Sequence, residues 1–330
     1  MLMNEEFDIG DMWRCYIDLT PKKFAECLRI KGDIVGQDNA IKTASLILYN
    51  HIRKRRSVNL YIGPSGCGKS HVWNVLQTEM GAERILIYDA SMLTAEGYKG
   101  STKISTIFKD IPPECRSRII LVLDEFDKLL EPQYSSHGTN YSDMVQNQLL
   151  RLFNGDILVF AGEDGFSADS SGISIVLLGA FQNITDKKKR NSTSIGTIGF
   201  GGQPHHDCNY GNSEITIEDL IDFGMRRELA GRITRITCMS PLSIEDLTNI
   251  GQKEVKKLEQ QFQRNITADY SVILDLAYKA AKKGLGARWL KAQLNNSIDS
   301  LLYDNPNADS FTIDFNTLDT DEHSQAAFME

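Results

Sequence analysis

The chain of 330 residues contains no run of 18 apolar residues, no C-x-x-C pair and no excess of basic residues. Without a long apolar run, we expect no membrane-spanning helix. The segment from Met1 to Asp18 is acidic and has no apolar stretch, so we expect no signal peptide. The net charge of −8 argues against a general nucleic-acid-binding protein, because such proteins usually present a basic face.

Cysteines are few and scattered, which indicates reduced thiols in a cytoplasmic protein. The six are Cys15, Cys27, Cys67, Cys115, Cys208 and Cys238. His205, His206 and Cys208 lie close together, but structural zinc needs four ligands and the sequence shows no fourth. We therefore expect no zinc site.

Five apolar, β-branched runs alternate with helical stretches between Gly32 and about Ser240. They are Asn59–Ile62, Arg84–Tyr88, Arg118–Leu123, Ile173–Leu178 and Ile233–Met239. Runs of this character are typical of a buried parallel sheet, and their alternation with helices predicts an α/β domain.

The chain is long enough for two domains. We expect a short lead-in over residues 1–30, a large α/β domain over 31–240, a small mainly helical domain over 241–318 and an acidic tail over 319–330. Ser243 and Asp246 have the spacing of a helix-capping pair just after the boundary. A late strand is predicted within Phe311–Phe315.

The sequence Gly63-Pro64-Ser65-Gly66-Cys67-Gly68-Lys69-Ser70 is a Walker A motif, G-x-x-x-x-G-K-S, between a predicted strand and a helix that starts at His71. Glycines in such a loop let backbone N–H groups surround phosphate oxygens. Lys69 is expected to reach the β- and γ-phosphates, and Ser70 to ligate Mg²⁺. We assign nucleotide binding to this motif together with His71.

A second motif follows about 55 residues later, where an apolar strand ends in Asp124 and Glu125. This is a Walker B pattern, in which Asp124 is expected to hold Mg²⁺ and Glu125 to deprotonate the attacking water. A kinase that transfers phosphate to a small molecule has no use for a water-activating base. The pair therefore favours ATP hydrolysis.

The segment Asp124-Glu125-Phe126-Asp127-Lys128 resembles the D-E-x-D-K of the ClpX and HslU group of AAA+ unfoldases, and the resemblance extends from about Gly32 to Asp314. Four further matches are Ile34-Val35-Gly36-Gln37, Tyr49-Asn50-His51, Glu228-Leu229-Ala230-Gly231-Arg232 and Gly286-Ala287-Arg288. The resemblance implies that Ile34 and Val35 contact adenine and that Arg288 senses the nucleotide. It also implies that Arg232 acts in trans, which requires a ring, expected to be a homo-hexamer.

Two loop motifs imply partners. Gly97-Tyr98-Lys99-Gly100 resembles the aromatic pore loop, so Tyr98 and Lys99 are expected to grip protein substrates in the ring pore. Ile198, Gly199 and Phe200 resemble the I-G-F loop by which ClpX docks on the ClpP peptidase. They lie in a glycine-rich stretch from Ser192 to Asn212.

Several positions depart from ClpX. The loop Gly162–Ser167 is acidic where ClpX carries Arg-Lys-His, Glu131–Ser142 has no Lys or Arg, and Lys99 replaces an apolar residue. The sequence also lacks the cysteine-rich zinc domain of ClpX. A substrate preference like that of ClpX is therefore not expected.

The sequence predicts an ATP- and Mg²⁺-dependent unfoldase that delivers proteins to a ClpP-type peptidase. A stand-alone remodelling chaperone is the first alternative, and the Ile198 loop distinguishes it, because a pure remodeller does not need that loop. A nucleic-acid motor is less favoured because of the acidic charge and Tyr98. A small-molecule kinase is disfavoured by Glu125, Arg232 and Arg288.

Overall fold

The computed structural model describes residues 16–96, 102–132, 134, 140–160, 165–182, 184 and 215–318. The chain divides into two compact units, of which the first comprises Met1–Gly63 and Lys69–Ser240 and the second comprises Pro64–Gly68 and Pro241–Glu330. Within the described ranges, no helix is both long and apolar enough to cross a bilayer.

A five-stranded parallel sheet forms the centre of the first unit, in the order β2-β3-β6-β1-β7. The strands of this unit are β1 (Val58–Ile62), β2 (Ile85–Asp89), β3 (Ile120–Asp124), β4 (Ile157–Phe160), β5 (Phe166–Asp169), β6 (Ser174–Gly179) and β7 (Arg235–Cys238). All five strands that the apolar runs predict are in this sheet, with bounds shifted by at most two residues. The predicted α/β class is confirmed.

Helices flank this sheet and bury its strands. They are α1 (Pro21–Lys31), α2 (Asp38–Ile52), α3 (Lys69–Met80), α4 (Ile104–Lys109), α5 (Phe126–Leu130), α6 (Tyr141–Asn154), α7 (Ile217–Phe223) and α8 (Arg227–Ala230). Strands β1 and β6 are buried along their whole length. Strands covered on both faces read as continuous apolar runs, which is why the sequence pattern locates them.

The sequence does not predict the antiparallel hairpin of β4 and β5. Each strand has only four residues, and β4 exposes Ile157 and Val159 while burying Leu158. One buried residue in each short strand is too weak a pattern to distinguish from a loop.

The second unit contains the helices α9 (Ile244–Phe262), α10 (Tyr270–Lys282) and α11 (Gly286–Asp304) and the strands β8 (Asn265–Ala268) and β9 (Ser310–Ile313). Ser243 and Asp246 form the predicted capping box at the start of α9. The late strand is confirmed as β9, but its parallel partner β8 was not predicted. Helices α9 and α10 approach closely at Gly251, where a Cβ would lie 2.6 Å from Ile273 Cγ2.

Candidate nucleotide-binding and hydrolysis site

The glycine-rich loop leaves the carboxyl end of β1, where the Gly63 N–H donates to the Gly179 carbonyl of β6 at 3.3 Å. Gly66 and Gly68 have φ values of 73° and 102°. A Cβ on Gly68 would meet no atom within 4 Å, so this position needs glycine for its backbone conformation alone. Within the second unit, the Ala287 N–H donates to the Gly66 carbonyl at 3.4 Å.

Helix α3 begins at Lys69 and carries the two polar side chains of the Walker A motif. Lys69 Nζ donates to the Gly63 carbonyl at 2.6 Å, and the Ser70 hydroxyl donates to Asp124 Oδ2 at 2.5 Å. Both side chains belong to half-buried residues. The sequence places Ser70 and Asp124 in separate motifs 54 residues apart, and the fold brings their oxygen atoms into contact.

These two oxygens suit Mg²⁺, which prefers hard oxygen ligands and usually takes only one or two from protein beside a phosphate. Among the described residues, no three His, Cys, Asp or Glu side chains form a metal-binding group. A single carboxylate with a hydroxyl is therefore the arrangement expected where a nucleotide phosphate supplies further ligands.

The second carboxylate, Glu125, follows β3 directly and has a left-handed backbone, with φ of 53°. Its N–H donates to Asp124 Oδ1 at 2.8 Å. Its carboxylate accepts from Lys128 Nζ at 2.5 Å, and this hydrogen bond is the main reason that the pKa of Lys128 is raised. The Glu125 and Lys128 side chains are 45% and 56% exposed, so the pair lies at the surface of the site.

Asp127 connects the loop after β3 to the loop after β6. Its Oδ2 accepts from the Phe181 N–H at 3.1 Å. The approach requires Gly179, because a Cβ there would lie 2.9 Å from Asp127 Oδ1 and 2.5 Å from the Phe181 ring. Phe181 is itself in the left-handed region, with φ of 47°.

Asp127 and Lys128 belong to the D-E-x-D-K motif, but the motif alone does not indicate a role for either residue. The sequence does contain a signal for both residues, because an acidic and a basic residue follow closely after a strand that ends in two acidic residues. Their spacing alone does not say which backbone or side-chain group each one contacts.

The loop between α1 and α2 presents Ile34 and Val35, both half-buried. It contains two non-glycine residues with positive φ, Asp33 at 50° and Gln37 at 58°. Gln37 Nε2 donates to the Ser240 carbonyl at 2.6 Å, which fixes the loop at its far end. A strained loop held in this way suits a binding segment, although its contact with adenine remains a prediction.

Arg232 is exposed and precedes β7 at the amino edge of the sheet, the edge opposite Asp124. His71 is exposed in the first turn of α3, and Arg288 is exposed in the first turn of α11. Tyr98, Lys99, Ile198, Gly199 and Phe200 lie outside the described residues.

Residues 59–189 match the model of the family described as "ATPase family associated with various cellular activities (AAA)". The matched segment includes both Walker motifs and four of the five sheet strands. This segment of the chain is therefore similar to AAA ATPase domains, a family for which ATP binding and hydrolysis are expected. Domains of this family typically assemble as rings.

Proposed function

We propose that this protein is a ClpX-type unfoldase, which uses ATP hydrolysis to pull polypeptides through a homo-hexameric ring and delivers them to a ClpP-type peptidase. One observation carries the ATPase part of the proposal. The Ser70 hydroxyl and the Asp124 carboxylate are 2.5 Å apart, and Glu125 follows directly at the same sheet edge.

Each residue of the cluster has a role in hydrolysis. The loop N–H groups and Lys69 would bind the phosphates, and Ser70 and Asp124 would hold Mg²⁺, which would supply positive charge to the phosphates. Glu125 accepts the proton from the water that attacks the γ-phosphate. The reaction is therefore hydrolysis of ATP and not phosphate transfer to another molecule, because Glu125 activates water as the acceptor of the γ-phosphate.

The position of Arg232 supports assembly. It lies at the amino edge of the sheet, whereas Asp124 lies at the carboxyl edge of the same sheet. A cation at that edge suits the nucleotide of a neighbouring copy better than its own, which is the arrangement of a ring. Arg288 is proposed to sense the nucleotide from α11, and Ile34 and Val35 to contact the adenine.

The finer parts of the proposal rest on sequence resemblance. Tyr98 and Lys99 are proposed to line the pore, and Ile198, Gly199 and Phe200 to dock on the peptidase. Without that docking, the protein is a stand-alone remodelling chaperone, which needs the same ATPase site. Nothing in the site favours a nucleic-acid motor over these two.

The experiment that tests the proposal is co-sedimentation of the purified ring with ClpP from the same cell, in the presence of ATP. The wild-type protein should bind the peptidase. Ile198→Glu should lose the complex while retaining ATP turnover, because Ile198 belongs to neither Walker motif. Six weak contacts acting together explain why one substitution per chain is enough.

Two results would change the conclusion. An active ATPase that forms no complex with the peptidase would make the stand-alone chaperone the better interpretation. A monomer with full ATPase activity would contradict both, because Arg232 would then have no neighbour to act on.

A further inference from the structure

The side chain of Lys128 contacts Glu125, which is the proposed base, and hydrolysis does not otherwise account for this contact. Lys128 Nζ donates to Glu125 Oε2 at 2.5 Å. The two residues are three apart, with Glu125 as the N-cap of α5 and Lys128 within that helix. The contact therefore joins the residue expected to move a proton to a helix of the scaffold.

Helix α5 is held in place on several sides. Phe126 is fully buried, and the Leu129 carbonyl accepts from the buried Ser142 hydroxyl at 2.7 Å. Asp127 accepts from the Phe181 N–H at 3.1 Å. These contacts fix the backbone on both sides of Lys128, so its side chain reaches Glu125 from a fixed Cα position.

The contact also limits the chemistry of the carboxylate. A general base must accept a hydrogen bond from the proton that it removes. In the present arrangement the ammonium of Lys128 occupies Oε2 of Glu125. The backbone of Glu125 is in the left-handed region, which is uncommon for a residue other than glycine.

We propose that Lys128 is a positioning residue that holds the Glu125 carboxylate in a resting orientation, and that the ion pair must open before Glu125 activates water. This inference rests on the proposed ATPase function and adds a restraint to it. The ion pair would lower turnover between encounters with substrate without affecting nucleotide binding.

The expected change in ATP turnover is small, because the Lys128 and Glu125 side chains are both exposed to solvent. Both side chains are about half exposed, so solvent and salt weaken the pair. Exposed pairs of this kind support rate changes of about two- to fivefold. The restraint is therefore weak enough to be opened in every catalytic cycle.

The test is steady-state ATP turnover of the full chain with Lys128→Met, which retains the length of the side chain and removes its charge. We expect kcat to rise about two- to fivefold at low salt, with an unchanged KM and unchanged affinity for a fluorescent ATP analogue. The ratio of variant to wild-type turnover should approach one as ionic strength rises, because salt screens the pair.

Two matched variants separate the restraint from a structural effect. Lys128→Arg keeps the positive charge and should restore wild-type turnover. Lys279→Met breaks an exposed pair of similar length, Lys279 to Asp275 at 2.8 Å in α10, and should leave turnover unchanged. Thermal unfolding of all three variants reports whether each is folded.

A double variant tests whether Lys128 acts through Glu125. In a Glu125→Gln background, Lys128→Met should not raise the residual turnover, because no carboxylate remains to be released. A rise of equal size in that background would overturn the inference. So would a folded Lys128→Met protein whose turnover is unchanged or reduced.

The proposed function fails in a different way. A wild-type protein that neither binds nor hydrolyses ATP would contradict the function itself. A wild-type protein that hydrolyses ATP, is inactivated by Glu125→Gln and is unaffected by Lys128→Met would leave the function standing and remove only the restraint.

Discussion

The two edges of the parallel sheet differ in what some of their polar side chains contact. At the carboxyl edge, Ser70 and Lys128 contact the carboxylates of Asp124 and Glu125. At the amino edge, Arg56 donates only to backbone carbonyls in its described hydrogen bonds. The contacts of Ser70 and Lys128 involve groups that can bind a ligand instead, whereas the contacts of Arg56 join α6 to the segment that precedes β6.

His51 is a buried polar side chain at the amino edge whose hydrogen bonds stabilise the fold. It is 6% exposed, and its Nε2 lies 3.2 Å from the Arg118 carbonyl, which can only accept. Nε2 therefore carries the proton, and Nδ1 accepts from the Ser174 hydroxyl at 2.9 Å. Burial lowers the pKa of His51 to about 4, so the ring is neutral at physiological pH.

The largest effect is expected at the carboxyl edge. Lys69→Ala removes the cation that the Walker A motif supplies to the phosphates, and ATP affinity should fall about a hundredfold, or about 3 kcal/mol. Titration with a fluorescent ATP analogue measures this loss. Its thermal unfolding temperature without nucleotide should fall only slightly, because the variant loses one hydrogen bond of the fold, from Lys69 to the Gly63 carbonyl.

Acid is expected to lower the stability of the folded protein by protonating His51, which lies at the amino edge of the sheet. The pKa of His51 is about 4 in the folded protein and about 6.5 in the unfolded chain, so the unfolded state binds the extra proton first. Stability contributed by neutral His51 is complete above about pH 6.5 and is lost as pH falls towards 4, by at most about 3 kcal/mol.

Urea unfolding at pH 7 and pH 4.5 measures this dependence. Other groups titrate in the same range, so the informative quantity is the difference between wild type and His51→Gln. The variant should be less stable at pH 7 and should lose less stability on acidification. Equal pH dependence in the two proteins would show that His51 is not buried as a neutral ring.

A smaller effect is expected for Arg56, which is half-buried and donates to the carbonyls of Leu152, Phe153 and Ile173 at 3.1 to 3.2 Å. Arg56→Met retains the apolar stem and removes the three hydrogen bonds. The free energy of unfolding should fall by about 2 kcal/mol. ATP affinity should not change, and a large loss of affinity would contradict the separation of the two edges.

Much of the first unit could be predicted from sequence, because strands buried on both faces leave continuous apolar runs. The Walker residues were predictable for a similar reason, since phosphate binding requires glycines and a lysine in contiguous order. The hairpin of β4 and β5 and the strand β8 were not predictable, because four residues with one buried side chain carry little pattern.

At the candidate site, too, some residues were predicted from the sequence and others were not. Lys69, Ser70, Asp124 and Glu125 were predicted by motif. The roles of Asp127 and Lys128 depend on which groups α5 faces, and tertiary contacts decide that. Asp127 accepts its hydrogen bond from the N–H of Phe181, which is 54 positions away. Sequence spacing alone could not identify this partner.

The central claim is that the cluster at the carboxyl edge is an ATPase site in which Glu125 is the base. The most direct test is ATP turnover and ATP binding by Glu125→Gln, which retains the shape of the side chain and removes its basicity. The account predicts binding close to that of the wild type with turnover lowered at least about a hundredfold. Wild-type turnover in Glu125→Gln would contradict it.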